Sequence, residues 1–401
     1  MFIVGIDIAK LSHEAVVIDR SGNIVCKSFK FTNDSKGFAK LTAALLAVDS
    51  DLTRFEFGLE ATGHYWLNLY CKLIDSGCIV HVINPVQSDA LRGLYIRQTK
   101  TDSKDSFLIA ELIRFGRYTE TALAEPDIIA LRDLTRQRFY IVDLISDAKR
   151  KVITLLDKAF PEYSQLFTDI FGSTSLSLLE EFPTPDLLAD LSTDKLTDFL
   201  KAVSHGRFGQ SKALEIQSAA RTSFGSFLFA DTSAFAIRQF LEQIRLLEKQ
   251  LDNLNAYIAD CLSKFNTTLT TIVGVGPTLA AVFVAEIGDI NRFNSPDKLA
   301  AFAGIDPSVK QSGQFIGTQA HISKRGSPYL RRALYLAAVA ANIHNPALHA
   351  IYEKKRSQGK PHGIALSALS RKLVNIIFAV LKSGKPYEIV MPTYANPPSN
   401  A

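Results

Sequence analysis

The chain begins FIVGIDIAKLSHEAVVIDRSGNIVCKSFKF, residues 2–31, and this stretch decides the fold. Apolar and β-branched residues dominate Phe2 to Ile8, Glu14 to Asp19 and Ile24 to Phe31, and turn residues separate the three runs. Short runs of this kind between turn residues predict three consecutive antiparallel strands.

The residues that follow alternate between helix and strand patterns. Asp34 offers a helix cap before an amphipathic run. Strands predicted at Phe55 to Ala61 and Cys78 to Asn84 enclose a helix from Tyr65 to Ile74. Three hairpin strands followed by alternating helix and strand is the order of a ribonuclease-H-like α/β layer, which we predict over residues 1–120.

Four carboxylates of this region are candidate metal ligands. Asp7 ends the first strand, where a carboxylate on an apolar element is costly unless it is paired or ligates a cation. Glu60 points away from the apolar face of its strand. Asp102 and Asp105 stand three residues apart, on one side of the first turn of a predicted helix.

Hard divalent cations prefer oxygen ligands, and two such ions can clamp the attacking and leaving oxygens of a phosphate. We therefore predict that Asp7, Glu60, Asp102 and Asp105 bind Mg²⁺ or Mn²⁺. Taken singly, three of them have simpler explanations: a strand-end turn for Asp7, a helix cap for Asp102 and the helix dipole for Asp105.

Two long amphipathic helices are predicted in the middle of the chain. One runs from Pro126 to a stop at Pro161, and the other from about Thr232 to Phe265. Their spacing suits an antiparallel coiled coil, formed within one chain or across a dimer. We predict a coiled-coil region over 121–265, with a helical insertion at about 164–226.

The C-terminal region, predicted over 266–390, combines glycines with cations. Gly274 and Gly276 stand before a helix, as in a helix-hairpin-helix turn whose N–H groups approach a phosphate. From Lys310 to Lys385 there are 13 Lys and Arg but 1 acidic residue. This imbalance indicates a phosphate-facing surface. Residues 391–401 are predicted to be a flexible tail.

Three serines in VKQSGQFIGTQAHISKRGSPYLRRALY, residues 309–335, are candidate nucleophiles. Ser312 precedes a glycine, and Ser323 and Ser327 flank a Lys-Arg pair. Chemistry alone does not separate the three hydroxyls. Ser323 and Ser327 also suit a capping role for the helix predicted near Pro328.

Cations near the serines and the acids are predicted to contact nucleic-acid backbone, with a solvated basic face as the alternative. Near the serines these are Lys310, Lys324, Arg325, Arg331 and Arg332. Near the acids they are Arg92, Arg97, Lys100 and Lys104.

Composition bounds the class of protein. A chain of 401 residues, 47% apolar, can bury ample core and suggests two or three domains. The net charge of +5 is modest, so the location of the charges matters more than their sum. Four scattered cysteines argue against a disulfide framework or zinc site. Without a basic leader or an apolar run of about twenty residues, we expect a cytoplasmic prokaryotic protein and no membrane partner.

Six blocks occur in an order that resembles the IS110-type insertion-sequence transposases, which are serine recombinases unlike the resolvase kind. They are GIDIAK, GLEATGHY, TKTDSKDS, GVGPTLAAVFVAEIGDI, FAGIDPSVKQSG and SKRGSPYLRRALYLAA. The resemblance covers nearly the full chain. It implies a RuvC-like domain whose DEDD acids, Asp7, Glu60, Asp102 and Asp105, bind Mg²⁺, and a transposase domain whose Q-S-G serine is Ser312.

The resemblance also implies a noncoding bridge RNA that pairs with donor and target DNA, although the insertion at 164–226 exceeds what compact members carry. We thus expect a transposase that cuts and rejoins DNA through a covalent phosphoserine at Ser312. The acids lie far from Ser312 in sequence, so domain docking must assemble the site, within a subunit or between subunits of a dimer or tetramer. Two alternatives remain: a RuvC-like endonuclease that hydrolyses DNA through the acids alone, and a non-catalytic nucleic-acid-binding protein.

Overall fold

A computed structural model describes residues 1–61, 63–83, 102–116, 118, 125–225, 228, 230–307, 311–312, 315–316 and 321–389. At residues 102, 311–312 and 315–316 it describes the backbone only. The chain divides into two compact units, Met1–Leu123 and Ala124–Ala401. The tail predicted at 391–401 lies outside the described residues.

A five-stranded sheet forms the centre of the first unit. Its strands are β1 (Phe2–Asp7), β2 (Ser12–Asp19), β3 (Ile24–Thr32), β4 (Phe55–Glu60) and β5 (Ile79–Ile83). The spatial order is β3-β2-β1-β4-β5. The first three strands pair antiparallel, and β1, β4 and β5 are parallel. The five predicted strands are confirmed, and their order fits the ribonuclease-H-like layer.

Helices cover both faces of the sheet. They are α1 (Ser35–Leu46), α2 (Leu67–Asp75) and α3 (Asp102–Phe115). Asp34 caps α1 as predicted, because its carboxylate accepts a hydrogen bond of 2.8 Å from the Gly37 N–H. The helices α1 and α2 share a core with Val4 and Phe57, whereas α3 packs on the opposite face with Ile3.

Two glycines let α3 approach the sheet closely. A Cβ on Gly5 would stand 2.0 Å from the carbonyl oxygen of Ser106 and 2.5 Å from the Ala110 nitrogen. A Cβ on Gly58 would stand 2.8 Å from a side-chain carbon of Ile113. Because Gly5 and Gly58 pair in register on adjacent strands, the helix crosses the sheet over a patch without side chains.

The two long helices predicted in the middle are present as α4 (Pro126–Ala159) and α10 (Ala230–Ser263). They pack against each other within the chain. The Arg138 guanidinium donates to the Asn255 side chain at 2.7 Å, and the Lys149 ammonium lies 3.0 Å from the Glu248 carboxylate. Since residue numbers rise along one helix as they fall along the other, the pair is antiparallel.

Shorter helices fill the segment between the long pair. They are α5 (Tyr163–Leu166), α6 (Ser173–Glu181), α7 (Pro185–Ala189), α8 (Thr193–Val203) and α9 (Gln210–Arg221). Their apolar residues form one core with Val152 of α4 and Ile237 of α10. The buried Tyr163 hydroxyl donates to the Ser175 carbonyl at 3.0 Å, which satisfies its polar group inside this core.

The C-terminal part of the second unit is mainly helical. Its helices are α11 (Pro277–Ile287), α12 (Pro296–Ala303), α13 (Pro328–His344), α14 (Pro346–Ser357) and α15 (His362–Ser383). A small hairpin of β6 (Gln311–Ser312) and β7 (Phe315–Ile316) lies between α12 and α13. The predicted helix starts at Pro296 and Pro328 are confirmed.

Helix α15 is long and apolar enough, by length and composition, to cross a membrane. Its sequence is not a continuous apolar run of about twenty residues, because Arg371 and Lys372 interrupt it. Leu366, Leu373 and Ile377 are buried in the unit, so one face of α15 is part of the protein core. One such helix is weak evidence for a membrane span.

Replacing Gly5 with alanine is expected to destabilise the first unit by about 2–3 kcal/mol, because the new Cβ meets the α3 backbone and the helix must shift. Urea denaturation followed by circular dichroism measures the loss. Gly363→Ala in α15 is the control, since a Cβ there meets nothing within 4 Å. Unfolding free energies that match between the two variants would contradict the close approach.

Candidate active site

Asp7 and Glu60 end two adjacent parallel strands. Asp7 is the last residue of β1 and Glu60 the last of β4, one position beyond the pair Ile6 and Leu59. Because side chains alternate along a strand, both acids point to the same face as Gly5, the face covered by α3. The carboxyl ends of β1 and β4 therefore carry two carboxylates on one face.

Helix α3 runs so that its first turn reaches the same edge. Ser106 lies over Gly5 in the second half of β1, whereas Arg114 lies near Gly22. Gly22 belongs to the turn between β2 and β3, beside the start of β1. The helix is thus antiparallel to β1, and its N-terminus lies toward the carboxyl ends of the parallel strands.

Asp105 occupies this first turn and is 6% exposed. The backbone of Asp102 begins α3, but its side chain lies outside the described atoms. Three of the four predicted acids, Asp7, Glu60 and Asp105, thus converge on one edge, which we call the acid edge. Lys104 is exposed on the same turn, and Arg92, Arg97 and Lys100 lie outside the described residues.

A fifth carboxylate, that of Glu14, was not predicted as a ligand. Glu14 pairs directly opposite Asp7 in the β1–β2 hairpin and is 7% exposed. Its carboxylate accepts a hydrogen bond of 2.8 Å from Ser28 and lies 3.7 Å from the Lys30 ammonium. The hairpin register is the signal that would have identified it, because directly opposed residues share a face.

The acid edge suits a hard divalent cation in the chemistry of its donors, since all are carboxylate oxygens. Among the described side chains, no three Asp, Glu, His or Cys groups come close enough to hold an ion together. The side chain of Asp102, the fourth predicted ligand, is not among them. The described acids therefore share one edge of the sheet but do not by themselves form a metal-holding group.

Ser312 lies in the second unit, at the end of β6. Its backbone pairs with Phe315, the first residue of β7, and Gln311 pairs with Ile316. The neighbouring Lys310 lies outside the described residues. Ser312 is therefore the last paired residue of a very short hairpin.

Contacts of Ser323 close the base of the loop that carries this hairpin. Its hydroxyl donates to the Asp306 carboxylate, and its backbone N–H donates to the Asp306 carbonyl at 2.8 Å. Pro307 and Ile322 form a β-bridge beside this pair. The interpretation of Ser323 as a helix cap is thus wrong, because its hydroxyl is bonded to a carboxylate on the other side of the loop.

Ser327 caps α13 as predicted. Its hydroxyl oxygen accepts a hydrogen bond of 3.1 Å from the Leu330 N–H and donates one of 2.8 Å to Glu286. Glu286 is 3% exposed and accepts two hydrogen bonds from Arg136, at 2.7 and 3.1 Å. Ser327 is therefore one of two groups that satisfy a buried carboxylate.

Glu286 and Arg136 are buried partners that sequence reasoning missed. Burial alone lowers the pKa of Arg136, but the hydrogen bonds and charge of Glu286 outweigh it and raise the pKa. The guanidinium also lies 4.7 Å from the ring centre of Tyr329. A single acid in the otherwise apolar VFVAEI segment of α11 was the available signal.

Of the cations predicted to contact phosphate, some are exposed and others are engaged in contacts within the protein. Lys324 and Arg325 are exposed beside the base of the loop, and Lys324 has a positive φ of 54°. Arg331 donates to the Ala303 carbonyl at 3.0 Å. Arg332 makes a two-point contact with Asp143 at 2.7 and 2.8 Å, which raises the pKa of Arg332. The latter two side chains therefore hold the second unit together.

The glycines before α11 also have distinct settings. Gly274 has a φ of 97°, and a Cβ there would stand 2.6 Å from the Ala341 nitrogen of α13. Packing and conformation therefore both require glycine at this position. A Cβ on Gly276 would meet nothing within 4 Å, and Gly276 is the residue that precedes the first turn of α11.

Two transposase family profiles match the chain. A DEDD transposase profile of the IS110 type matches residues 4–161, and a profile for transposases of the IS116/IS110/IS902 family matches residues 266–353. The first match contains the acid edge, and the second contains Ser312. Together they span both units and point to dependence on a divalent metal ion.

Curated relatives resemble the chain over most of its length. The uncharacterized 43.6 kDa protein of insertion element IS110 from Streptomyces coelicolor is 29% identical over 329 residues, 79% of either chain. The 42 kDa protein of IS900 from Mycobacterium paratuberculosis is 26% identical and covers 98% of both chains. The pilin gene-inverting protein of Moraxella lacunata is 26% identical over 96% of this chain and 97% of its own.

Replacing Ser327 with alanine is expected to cost about 1–2 kcal/mol, because α13 loses its cap and Glu286 loses a partner. Chemical denaturation of the full chain measures the change. The control is Ser367→Ala, which removes an exposed hydroxyl bonded only to the Gly363 carbonyl one turn earlier in α15. We expect no loss there, and equal stabilities of the two variants would rule out the capping role.

Proposed function

Because the chain belongs to the IS110/IS116/IS902 family of transposases, we propose that it cuts and rejoins DNA through a covalent phosphoserine at Ser312. DNA is the substrate of a transposase, so the proposal concerns the chemistry of strand exchange. The main supporting observation is that the hydroxyls of the two other candidate serines, Ser323 and Ser327, already donate hydrogen bonds to carboxylates of the protein. Ser323 donates to Asp306 and Ser327 to Glu286, where each serves the fold.

Ser312 stands apart from both competitors. It lies at the end of β6 in the loop whose base Ser323 and Asp306 close. This arrangement supports the role of nucleophile for Ser312. Ser323 has a structural role, because it holds the base of the loop that carries Ser312. The family's Q-S-G motif, which falls on Ser312 by resemblance, agrees with that division of roles.

The proposed step is a transfer of the phosphoryl group to the serine. The Oγ of Ser312 forms a bond to phosphorus while the bond from phosphorus to one bridging DNA oxygen breaks. The hydroxyl gives up its proton as it attacks, and the departing DNA oxygen takes one up. In the reverse step a DNA hydroxyl attacks the phosphoserine and releases Ser312, so the ligation needs no external energy source.

We propose that the acid edge serves this step. Asp7, Glu60, Asp102 and Asp105 would hold Mg²⁺ or Mn²⁺ through their carboxylate oxygens. A bound divalent ion polarises a phosphate and stabilises a departing oxygen. The three acids with described side chains do not by themselves form a group that could hold an ion, so the proposal depends on Asp102 as a further ligand.

The acid edge belongs to the first unit and Ser312 to the second. We propose that both units contribute to one reaction centre, within a copy or between copies of a homodimer or tetramer. Guidance by a bridge RNA encoded in the element is part of the same proposal, and it rests on the family resemblance. The helical segment α5–α9 exceeds what compact members of the family carry.

Ser312→Ala is expected to remove covalent protein–DNA adducts and to lower strand exchange by roughly a thousandfold or more. Denaturing gel electrophoresis of labelled DNA incubated with the full chain and Mg²⁺ measures both. Because Ser312 lies in a short hairpin, RNA binding and melting temperature should remain those of the wild type. Ser323→Thr is the matched control, since it keeps a hydroxyl for Asp306 and should still form adducts.

If Ser312→Ala still forms protein–DNA adducts, another residue is the nucleophile. Cleavage that persists without any adduct would favour a metal-dependent nuclease that uses the acids alone. Unchanged strand exchange in variants of all four acids would contradict the catalytic role of the acid edge.

The acids are tested separately through metal binding. A ligand at a hundred times its Kd stabilises the folded state by about 2.7 kcal/mol, so Mg²⁺ should raise the melting temperature of the wild type. Asp7→Asn, Glu60→Gln and Asp102→Asn should each lose this rise and lose DNA cleavage. Glu56→Gln is the control, because Glu56 lies at the opposite end of β4, paired with Arg20 at 3.3 Å. A rise retained in Asp102→Asn would show that Asp102 is not a required ligand.

A further inference from the structure

The loop between α11 and α12, residues 288–295, gathers cations from three segments. Arg292 belongs to the loop itself. Arg132 reaches it from α4, where its Nη2 lies 4.0 Å from the position of a Cβ on Gly288. Lys382 reaches it from α15, with its ammonium 2.9 Å from the Asn291 side-chain oxygen. Arg132 and Arg292 lie outside the basic run from Lys310 to Lys385 and were not predicted as nucleic-acid contacts.

Arg292 is held in place by aromatic rings. Its guanidinium carbon lies 4.6 Å from the ring centre of Phe293 and 4.5 Å from that of Phe302. The two ring centres are 5.3 Å apart. Arg292 is nevertheless exposed, so its planar donor fork is positioned by packing while remaining accessible to a ligand.

Arg132 is anchored through one nitrogen. Its Nε donates to the Ala285 carbonyl at 2.9 Å, which fixes the side chain against α11. Within the described part of the chain, neither Arg132 nor Arg292 forms an ion pair with a carboxylate. Arg136, one turn further along α4, is by contrast paired with Glu286.

The local charge is therefore unbalanced. Desolvation, and then the charge of Arg132, lowers the pKa of Arg292. Desolvation likewise lowers the pKa of Arg132. The nearest acid of the loop, Asp289, accepts a hydrogen bond of 2.8 Å from the Asn291 N–H and so serves the turn. The charge of Glu286 acts in the opposite sense on Arg132, and that of Asp289 on Arg292, but neither carboxylate is in ion-pair contact with its arginine within the described residues. The two arginines therefore favour an external anion.

We propose that Arg132, Arg292 and Lys382 form a phosphate-binding site for the backbone of double-stranded DNA. A phosphodiester oxygen suits the planar forks of two arginines, and a lysine adds a point charge. Double-stranded DNA is the proposed ligand because the family acts on DNA, and a transposase must hold its substrate. The inference rests on this family activity and not on the identity of the nucleophile.

Fluorescence anisotropy of a duplex of about 30 base pairs, from about 50 to about 200 mM salt, tests the site. Arg292→Gln in the full chain should weaken DNA binding by roughly three- to tenfold and lower the slope of log affinity against log salt by about one. Lys382→Gln should act in the same direction, and it leaves the Arg132 contact with Ala285 intact. Neither variant removes a group from the proposed reaction centre.

Arg245→Gln is the matched control. It removes the same charge from α10, where Arg245 is already paired with Glu180. We expect its DNA affinity and salt slope to equal those of the wild type, and melting temperatures confirm that all variants are folded. If Arg292→Gln is unfolded, Lys382→Gln decides alone.

Affinity and salt slope that do not change in Arg292→Gln and Lys382→Gln would overturn the site. An equal loss in Arg245→Gln would show a nonspecific charge effect and also overturn it. A loss confined to RNA of the same sequence would contradict DNA as the ligand. Adduct formation at Ser312 is measured independently, so failure of this site and failure of the proposed chemistry are distinguishable.

Discussion

The close approach of helix α3 to two glycines of the sheet is the constraint on which the acid edge depends. A Cβ on Gly5 would meet the α3 backbone, and a Cβ on Gly58 would meet the side chains of Ile109 and Ile113. Helix α3 therefore lies nearer the sheet than it could over larger residues. Its first turn is thereby fixed at the carboxyl ends of β1 and β4. Any larger residue at either glycine would move the helix off the sheet and carry Asp105 away from Asp7. The packing of the core therefore determines where the acids lie.

In the second unit, hydrogen-bonded carboxylates hold the two ends of the loop that carries Ser312. Glu286 would be costly at 3% exposure without compensation, and it receives hydrogen bonds from Arg136 and Ser327. These bonds tie the start of α13 to α11 and α4. The bond from Ser323 to Asp306 ties the preceding residues to the end of α12. Both ends of the loop that carries Ser312 are thus fixed to helices, and a short hairpin between fixed ends loses less entropy on adopting one position.

An interaction could be predicted from the sequence when its partners are close together along the chain. Strands, helix starts and the caps at Asp34 and Ser327 depend on neighbours within a few residues, and the sequence predicts them correctly. The position of Asp7 at a strand end is local in the same sense. Glu14 required the hairpin register, and the pairing of the long helices within one chain required knowledge of the segment that joins them. The role of Ser323 depended on Asp306, across the loop.

Charge shows this limit most clearly. A count of cations along the chain cannot separate an arginine that faces a carboxylate from one that faces another arginine. Arg332 pairs with Asp143, which lies far away in sequence, and its binding to a phosphate would first require that contact to break. Burial, and then the charge of Arg132, lowers the pKa of Arg292, and Arg292 has no ion pair within the described residues. An anion there therefore relieves repulsion and replaces no existing ion pair. At equal net charge, an arginine without a carboxylate partner, such as Arg292, binds phosphate more readily than a paired one, such as Arg332. The partners of each cation in the folded chain, more than the density of cations in the sequence, therefore determine where nucleic acid is held.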